Sequence, residues 1–166
     1  MSKMIVLGID PGYAIVGYGV IEVVGSNIIP IVCGVIETPT SESIPVRLAM
    51  LDEKLSVLIK KYLPDAIAVE ELFFNTNTTT AIKVAQARGV ILLNAIKQCG
   101  ELYEYTPLQV KMALTGNGRA DKHQMQYMVK ALLGLDEAPK PDDAADALAV
   151  AICHAQTTDF SKRVLN

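Results

Sequence analysis

Acidic residues stand where apolar runs begin or end at three places in this chain. Asp10 follows a short apolar run, in Gly8-Ile9-Asp10-Pro11-Gly12. Glu70 and Glu71 follow Ala66-Ile67-Ala68-Val69, and Asp142, Asp143 and Asp146 open a stretch that continues Ala147-Leu148-Ala149. An ionised carboxylate delivered by a buried strand is costly without a partner. Several of them brought together repel unless cations lie among them. Such hard oxygen donors suit Mg²⁺ or Mn²⁺, and Mg²⁺ keeps waters for reaction. Two such ions roughly 3.5–4 Å apart activate a water and stabilise the leaving oxygen in phosphodiester hydrolysis. The chemistry suggested is metal-dependent nuclease chemistry with two ions in the site.

Bland readings exist for each group. Asp-Pro-Gly is turn chemistry, and Glu70-Glu71 can be a solvated strand end. Asp142 can serve as a helix N-cap, where the helix dipole favours acids. Residues three or four apart share a helix face, so Asp146 can pair with either Asp142 or Asp143. Which of Glu70 and Glu71 points inward depends on the pleat. His123 and His154 have no ligand-spaced partner, and each is read as a surface residue. Cys33, Cys99 and Cys153 form no CxxC pair, so neither a zinc site nor a disulfide framework is supported.

The elements that must position these groups can be read from periodicity. Met4–Ile9, Tyr18–Val24 and Ile28–Ile36 read as strands, the last two joined by Gly25-Ser26-Asn27 as a hairpin. Ser43 can cap a helix with Pro45 in its first turn, carried by Leu48, Leu51, Leu55, Leu58, Ile59 and Tyr62 and stopped by Pro64. Ala66–Val69 is a strand, Thr80–Ile96 a helix and Leu102–Thr106 a strand. Pro107–Leu114, Lys122–Leu133 and Asp142–Ala155 read as helices. Three strands in meander followed by strands returning through helices predict an α/β architecture. It is a mixed five-stranded sheet flanked by helices, in the element order of the RNase H-like fold.

A chain of 166 residues with 51% hydrophobic residues and a mean hydropathy of +0.30 fits one domain, residues 1–166, with a sizeable core. No apolar run reaches the roughly 20 residues of a spanning helix, so the expectation is a cytoplasmic protein without a membrane segment. The net charge of −3 is unevenly spread. From Thr80 to Lys130 the cations Lys83, Arg88, Lys97, Lys111, Arg119, Lys122 and Lys130 face only Glu101, Glu104 and Asp121. A basic half beside an acidic one can bind a polyanion next to a carboxylate cluster.

Several stretches together resemble the RuvC family of bacterial Holliday junction resolvases. They are Gly8-Ile9-Asp10-Pro11-Gly12 with Gly17-Tyr18-Gly19-Val20-Ile21, Glu70-Glu71-Leu72-Phe73, Gln86-Ala87-Arg88-Gly89, Gln109-Val110-Lys111, and Asp143-Ala144-Ala145-Asp146-Ala147-Leu148-Ala149. The resemblance implies that Asp10, Glu70, Asp143 and Asp146 hold the metals, favouring Glu70 over Glu71 and Asp143 over Asp142. It implies that Lys111 and Lys122 lie near the scissile phosphate and that Phe73 faces DNA, with Phe74 in the core. Arg88 and Arg119 are expected to add DNA contacts. It further implies a homodimer that nicks a four-way DNA junction symmetrically in recombination and repair, in partnership with RuvA and RuvB. The Thr80–Ile96 helix, with Ile82, Val84, Ala85, Ala87, Val90, Ile91, Leu92 and Leu93, carries more apolar surface than one core stripe needs. It is the expected dimer helix, with Gly89 permitting close approach.

Competing readings are weaker. The glycines match neither GxGxxG nor a P-loop. Actin-like ATPases need two such domains, and this chain has room for one. The nearer alternative is an RNase H-like nuclease acting on structured RNA, of the ribosomal RNA processing type. A junction-binding protein without metal chemistry would not need all four carboxylates.

Overall fold

The computed structural model describes residues 2–71 and 78–165, with side chains described as far as Thr158. The strands are β1 (Lys3–Asp10), β2 (Ile15–Val24), β3 (Asn27–Glu37), β4 (Ala66–Glu70) and β5 (Leu102–Tyr105). The helices are α1 (Ile44–Tyr62), α2 (Thr78–Gln98), α3 (Pro107–Thr115), α4 (Lys122–Leu133) and α5 (Asp142–Leu165). The sheet order is β3-β2-β1-β4-β5. β1 pairs antiparallel with β2 and parallel with β4, and β4 pairs parallel with β5. This is the expected mixed sheet. The β2–β3 turn is tighter than expected: Val24 pairs with Asn27, leaving Gly25-Ser26 as the connection, with Gly25 at φ 63°.

Strand alternation divides the core in two. Leu7, Ile9, Val20, Ile67 and Val69 pack with α1 and α2. Val6, Ile21 and Ala68 pack on the other face with α3, α4 and α5. The inner face of α5 presents small residues there, among them Ala144, Ala147 and Ala151, each at most 1% exposed.

Helix ends follow local chemistry with two departures. α3 and α4 begin with capping boxes, Thr106 with Gln109 and Asp121 with Gln124. Ser43 occupies the N-cap of α1, but its side chain makes no capping bond; only its carbonyl accepts, from Arg47 N–H. α5 does not stop at Ala155 but runs to Leu165. Nothing after Ala155 breaks a helix, and the polar turn there carries Thr157 and Thr158, whose hydroxyls donate back to the carbonyls of Cys153 and His154.

Candidate active site

The carboxylates converge because two strand ends and one helix start meet on a single face of the sheet. Asp10 ends β1 and Glu70 ends its parallel neighbour β4. By alternation Glu70 shares its face with Ala68, which packs with α5, whereas Val69 lies on the opposite face. The choice between Glu70 and Glu71 is thereby made by the pleat, in favour of Glu70. Glu71 instead donates its backbone N–H to the Tyr105 carbonyl.

The third contribution depends on glycines. Gly17 pairs with Asp10 across the β1–β2 ladder, and Gly8 pairs with Gly19. A Cβ at Gly8 would lie 2.1 Å from the Ala147 carbonyl oxygen, one at Gly17 2.0 Å from that of Asp143, and one at Gly19 2.6 Å from the Leu148 side chain. The sheet therefore offers α5 a surface without side chains, and the helix backbone lies directly on it. Asp143 and Asp146, three residues apart on the helix, are carried to Asp10. One oxygen from each of the three lies within 4.8 Å of the others. These glycines were legible only as parts of family motifs; the register that puts Gly8, Gly17 and Gly19 under one helix is a tertiary fact.

The electrostatics are those of a crowded anionic site. Burial, then the charges of Glu70 and Asp146, push the Asp10 carboxyl up to about 9. Burial also raises Glu70 and Asp146. The Asp10 and Glu70 carboxyls act directly on each other, which raises Asp10 further and partly offsets the rise at Glu70. Oxygen donors that must otherwise hold a proton to coexist fit divalent cations well.

Asp142 is not the helix cap expected of it. It is the first residue of α5, exposed, and turned to α4, where it pairs with Lys122 at 2.9 Å and accepts from Gln126 Nε2 at 2.9 Å. This pairing holds Asp142 below the usual carboxylate range and raises Lys122. Asp143, rather than Asp142, joins Asp146.

A cleft of about 220 Å³ opens beside the carboxylates, lined by Glu70, Asp146, Lys111 and Lys122 together with Pro107, Val110, Met125 and Ala149. Lys111 comes from α3 and Lys122 from the first turn of α4, so both capping boxes fix the helices that present them. The Lys111 charge partly offsets the rise at Glu70, and that of Lys122 the rise at Asp146.

The other expected contacts fare differently. Arg119 is exposed on the α3–α4 loop, its N–H on Asn117 Oδ1. Arg88 is turned into the fold and paired with Glu104 of the β5 strand, so its charge is engaged within the chain. Phe73 and Phe74 lie outside the described residues. His154 is not a surface residue: it is 3% exposed, and its Nδ1 shares a hydrogen bond with the Tyr105 hydroxyl at 2.7 Å. It lies within the expected helix, on the face of α5 turned to β5, where its ring packs against Tyr103 and Tyr105. His123 is exposed as expected.

A family model described as Crossover junction endodeoxyribonuclease RuvC matches residues 6–154. Among curated relatives, a protein of that name from Desulfitobacterium hafniense is 58% identical over 162 residues, covering 97% of this chain and 98% of the relative. One from Alkaliphilus metalliredigens is 56% identical over 157 residues, covering 95% and 96%. Among solved structures, Thermus thermophilus RuvC in complex with Holliday junction substrate superposes with a TM-score of 0.89 at 38% identity, covering 95% of this chain and 96% of the other. The yeast mitochondrial Holliday junction resolvase Ydc2, at 18% identity and a TM-score of 0.69, shares the fold. With family motifs, sheet topology and carboxylate geometry in agreement, the chain belongs to the RuvC family of crossover junction endodeoxyribonucleases.

Proposed function

We propose that the chain is one nuclease domain that resolves four-way DNA junctions by hydrolysing a phosphodiester at the Asp10, Glu70, Asp143 and Asp146 cluster. The observation that carries this is the convergence of oxygens from Asp10, Asp143 and Asp146 within 4.8 Å, with Glu70 at the end of the parallel strand beside Asp10. The Thermus relative, whose solved complex holds a Holliday junction substrate, supports the choice of DNA over RNA.

The four carboxylates would hold two Mg²⁺ ions, or Mn²⁺, and these would supply water activation and charge stabilisation at the leaving oxygen. The chain's own residues do the rest. Glu70 and Asp146 form the acidic wall of the cleft, and Lys111 and Lys122 form its basic wall. A phosphate drawn between them is oriented by the lysines, which also meet charge developing on its oxygens. Arg119 lies on the loop joining the two lysine-bearing helices and extends the basic wall outward.

Paired nicks require two active sites, hence a homodimer. Support lies on α2, where Ile82, Leu93 and Ile96 are 60%, 55% and 49% exposed. Exposed Ala85 and Gly89 fall on the same helical stripe, and nothing stands within 4 Å of a Cβ at Gly89. Val84, Ala87 and Ile91, also expected on the interface, are buried within the protomer. Partnership with RuvA and RuvB and a cytoplasmic location follow from the same reading. No helix among the described residues is long and apolar enough to cross a membrane.

The test is incubation with labelled four-way junction, linear duplex and structured RNA, with and without Mg²⁺. Metal-dependent paired nicks in the junction alone are expected. Cleavage of structured RNA with the junction left intact would favour the RNA-processing reading.

A further inference from the structure

On the loop after Asp10, Tyr13 stands between two cations. The Arg47 guanidinium lies 4.5 Å from the centre of its ring and the Lys83 ammonium 4.6 Å from it. Lys83 Nζ also donates to the Tyr13 hydroxyl at 3.3 Å. Arg47 is 4% exposed and donates to the Tyr13 carbonyl at 3.1 Å and to Thr38 Oγ1 at 3.1 Å. These partners are all neutral. Among the described residues neither Arg47 nor Lys83 forms an ion pair. A buried guanidinium is ordinarily matched by an acid, because an uncompensated charge is expensive to remove from water. The two cations also hold the Tyr13 hydroxyl below its ordinary pKa, through their hydrogen bonds first. They come from α1 and α2, and Tyr13 lies three residues past Asp10.

We infer that Arg47, Lys83 and Tyr13 form a docking site for a nucleic-acid backbone phosphate, on the strand beside the one cut at the carboxylates or further along it. The cavity beside them, bordered by Gly12 and Thr38 at its polar end and by Val16, Ile36, Leu48 and Leu51 beneath, has a volume of about 20 Å³. That is room for one water-sized group. A whole phosphate does not enter; one non-bridging oxygen does, toward the guanidinium, while the others meet Lys83 and the Tyr13 hydroxyl at the mouth. Arg suits such a buried contact because its planar donors are weakly hydrated, and Lys suits the mouth as a point charge. The site is separate from the cleft of Lys111 and Lys122. It places fixed positive charge on the loop that follows Asp10, where an acidic cluster would otherwise repel the strand. This inference rests on the chain acting on DNA, but its test is independent of cleavage.

The experiment measures junction and linear-duplex affinity at several KCl concentrations, without divalent metal so that nothing is cut. Wild type, Lys83→Ala and Tyr13→Phe are compared, each with a melting temperature. Arg47 is left intact because its loss would unseat the loop itself. Removing one phosphate contact lowers the slope of log K against log salt by about one per engaged protomer and weakens binding uniformly across sequences. Lys83→Ala is expected to show that fall, with a several-fold rise in Kd for junction and duplex alike. Tyr13→Phe keeps the ring between the cations and loses only the hydroxyl, so a smaller rise in Kd at wild-type slope is expected. Wild-type slope and Kd in Lys83→Ala, in protein that melts normally, would overturn the site and leave the cluster as a brace for the loop. Wild-type failure to cut junctions with Mg²⁺ would instead count against the proposed function, whatever the slopes.

Discussion

The backbone of Gly17 lies directly beneath that of Asp143, so close that a Cβ on Gly17 would stand 2.0 Å from the Asp143 carbonyl oxygen. Because Gly17 also pairs with Asp10, this single contact sets how near the helix carboxylates come to the strand carboxylate. Gly17→Ala cannot be relieved by a side-chain rotation, since the obstacle is backbone. The expected outcome is an overpacking cost of about 1–3 kcal/mol and loss of metal-dependent cleavage beyond what that destabilisation explains. A melting temperature and a cleavage rate below the transition check it; normal cleavage in a destabilised protein would show the glycine to be a packing residue only.

Asp10→Asn, Glu70→Gln, Asp143→Asn and Asp146→Asn are each expected to abolish cleavage while leaving junction affinity largely intact. Phosphate contacts supply affinity, whereas these groups serve the reaction. Glu71→Gln, on the other side of the pleat, should retain activity. Mg²⁺ should raise the melting temperature of the wild type by binding the native state, and that rise should vanish in Asp10→Asn. Calorimetry with and without metal reads both. An active Glu70→Gln beside a dead Glu71→Gln would reverse the assignment.

Lys111→Ala and Lys122→Ala are each expected to slow single-turnover cleavage, on the order of 10²-fold if they stabilise developing charge as a preorganised donor does. Lys122 begins from its pair with Asp142 at 2.9 Å, a contact between exposed groups that contributes little to stability and yields readily to a phosphate. Wild-type single-turnover rates in both variants would make them ordinary solvated lysines.

Leu93→Glu on the exposed stripe of α2 is expected to give a monomer by light scattering at micromolar concentration, with the wild type a dimer. Leu93 is 55% exposed, so the fold should survive the change, as a melting curve would show. A monomeric wild type would refute the interface.

His154 offers a pH prediction of definite sign. Burial lowers its pKa below the ordinary 6.5, and its Nδ1 shares a hydrogen bond with Tyr105, whose own hydroxyl burial pushes up to about 12. A folded-state pKa below the unfolded one means that this contribution is present above about pH 6.5 and is lost as pH falls through the folded value. The buried carboxylates Asp10, Glu70 and Asp146 act in the opposite sense, since their raised values favour the folded state at low pH. The difference between wild type and His154→Gln isolates the histidine. The variant should lose most stability at neutral pH and progressively less toward pH 5. A constant difference across that range would show that His154 does not charge on unfolding.

Much of this protein was determined by its sequence alone. Apolar runs bounded by turn residues and apolar residues at helical spacing placed the strands and helices of the described residues, because each signal is local: an element buries what its own spacing presents, and a proline or glycine ends it where it stands. Asp10, the pair Glu70 and Glu71, and Asp142, Asp143 and Asp146 stood out for the same reason, at the edges of apolar runs, and the family resemblance favoured Glu70 and Asp143 within their groups. Only the tertiary structure decided which neighbours face one another. Glu70 over Glu71 follows from the pleat against α5, and Asp143 over Asp142 from the pull of Lys122 and Gln126 on Asp142. His154 is a core residue because its face of α5 packs against Tyr103 and Tyr105 of β5, and Arg88 pairs with Glu104 from a strand sixteen residues on. In each case the partner lies on another element, and no periodicity along one segment records what the opposite face brings.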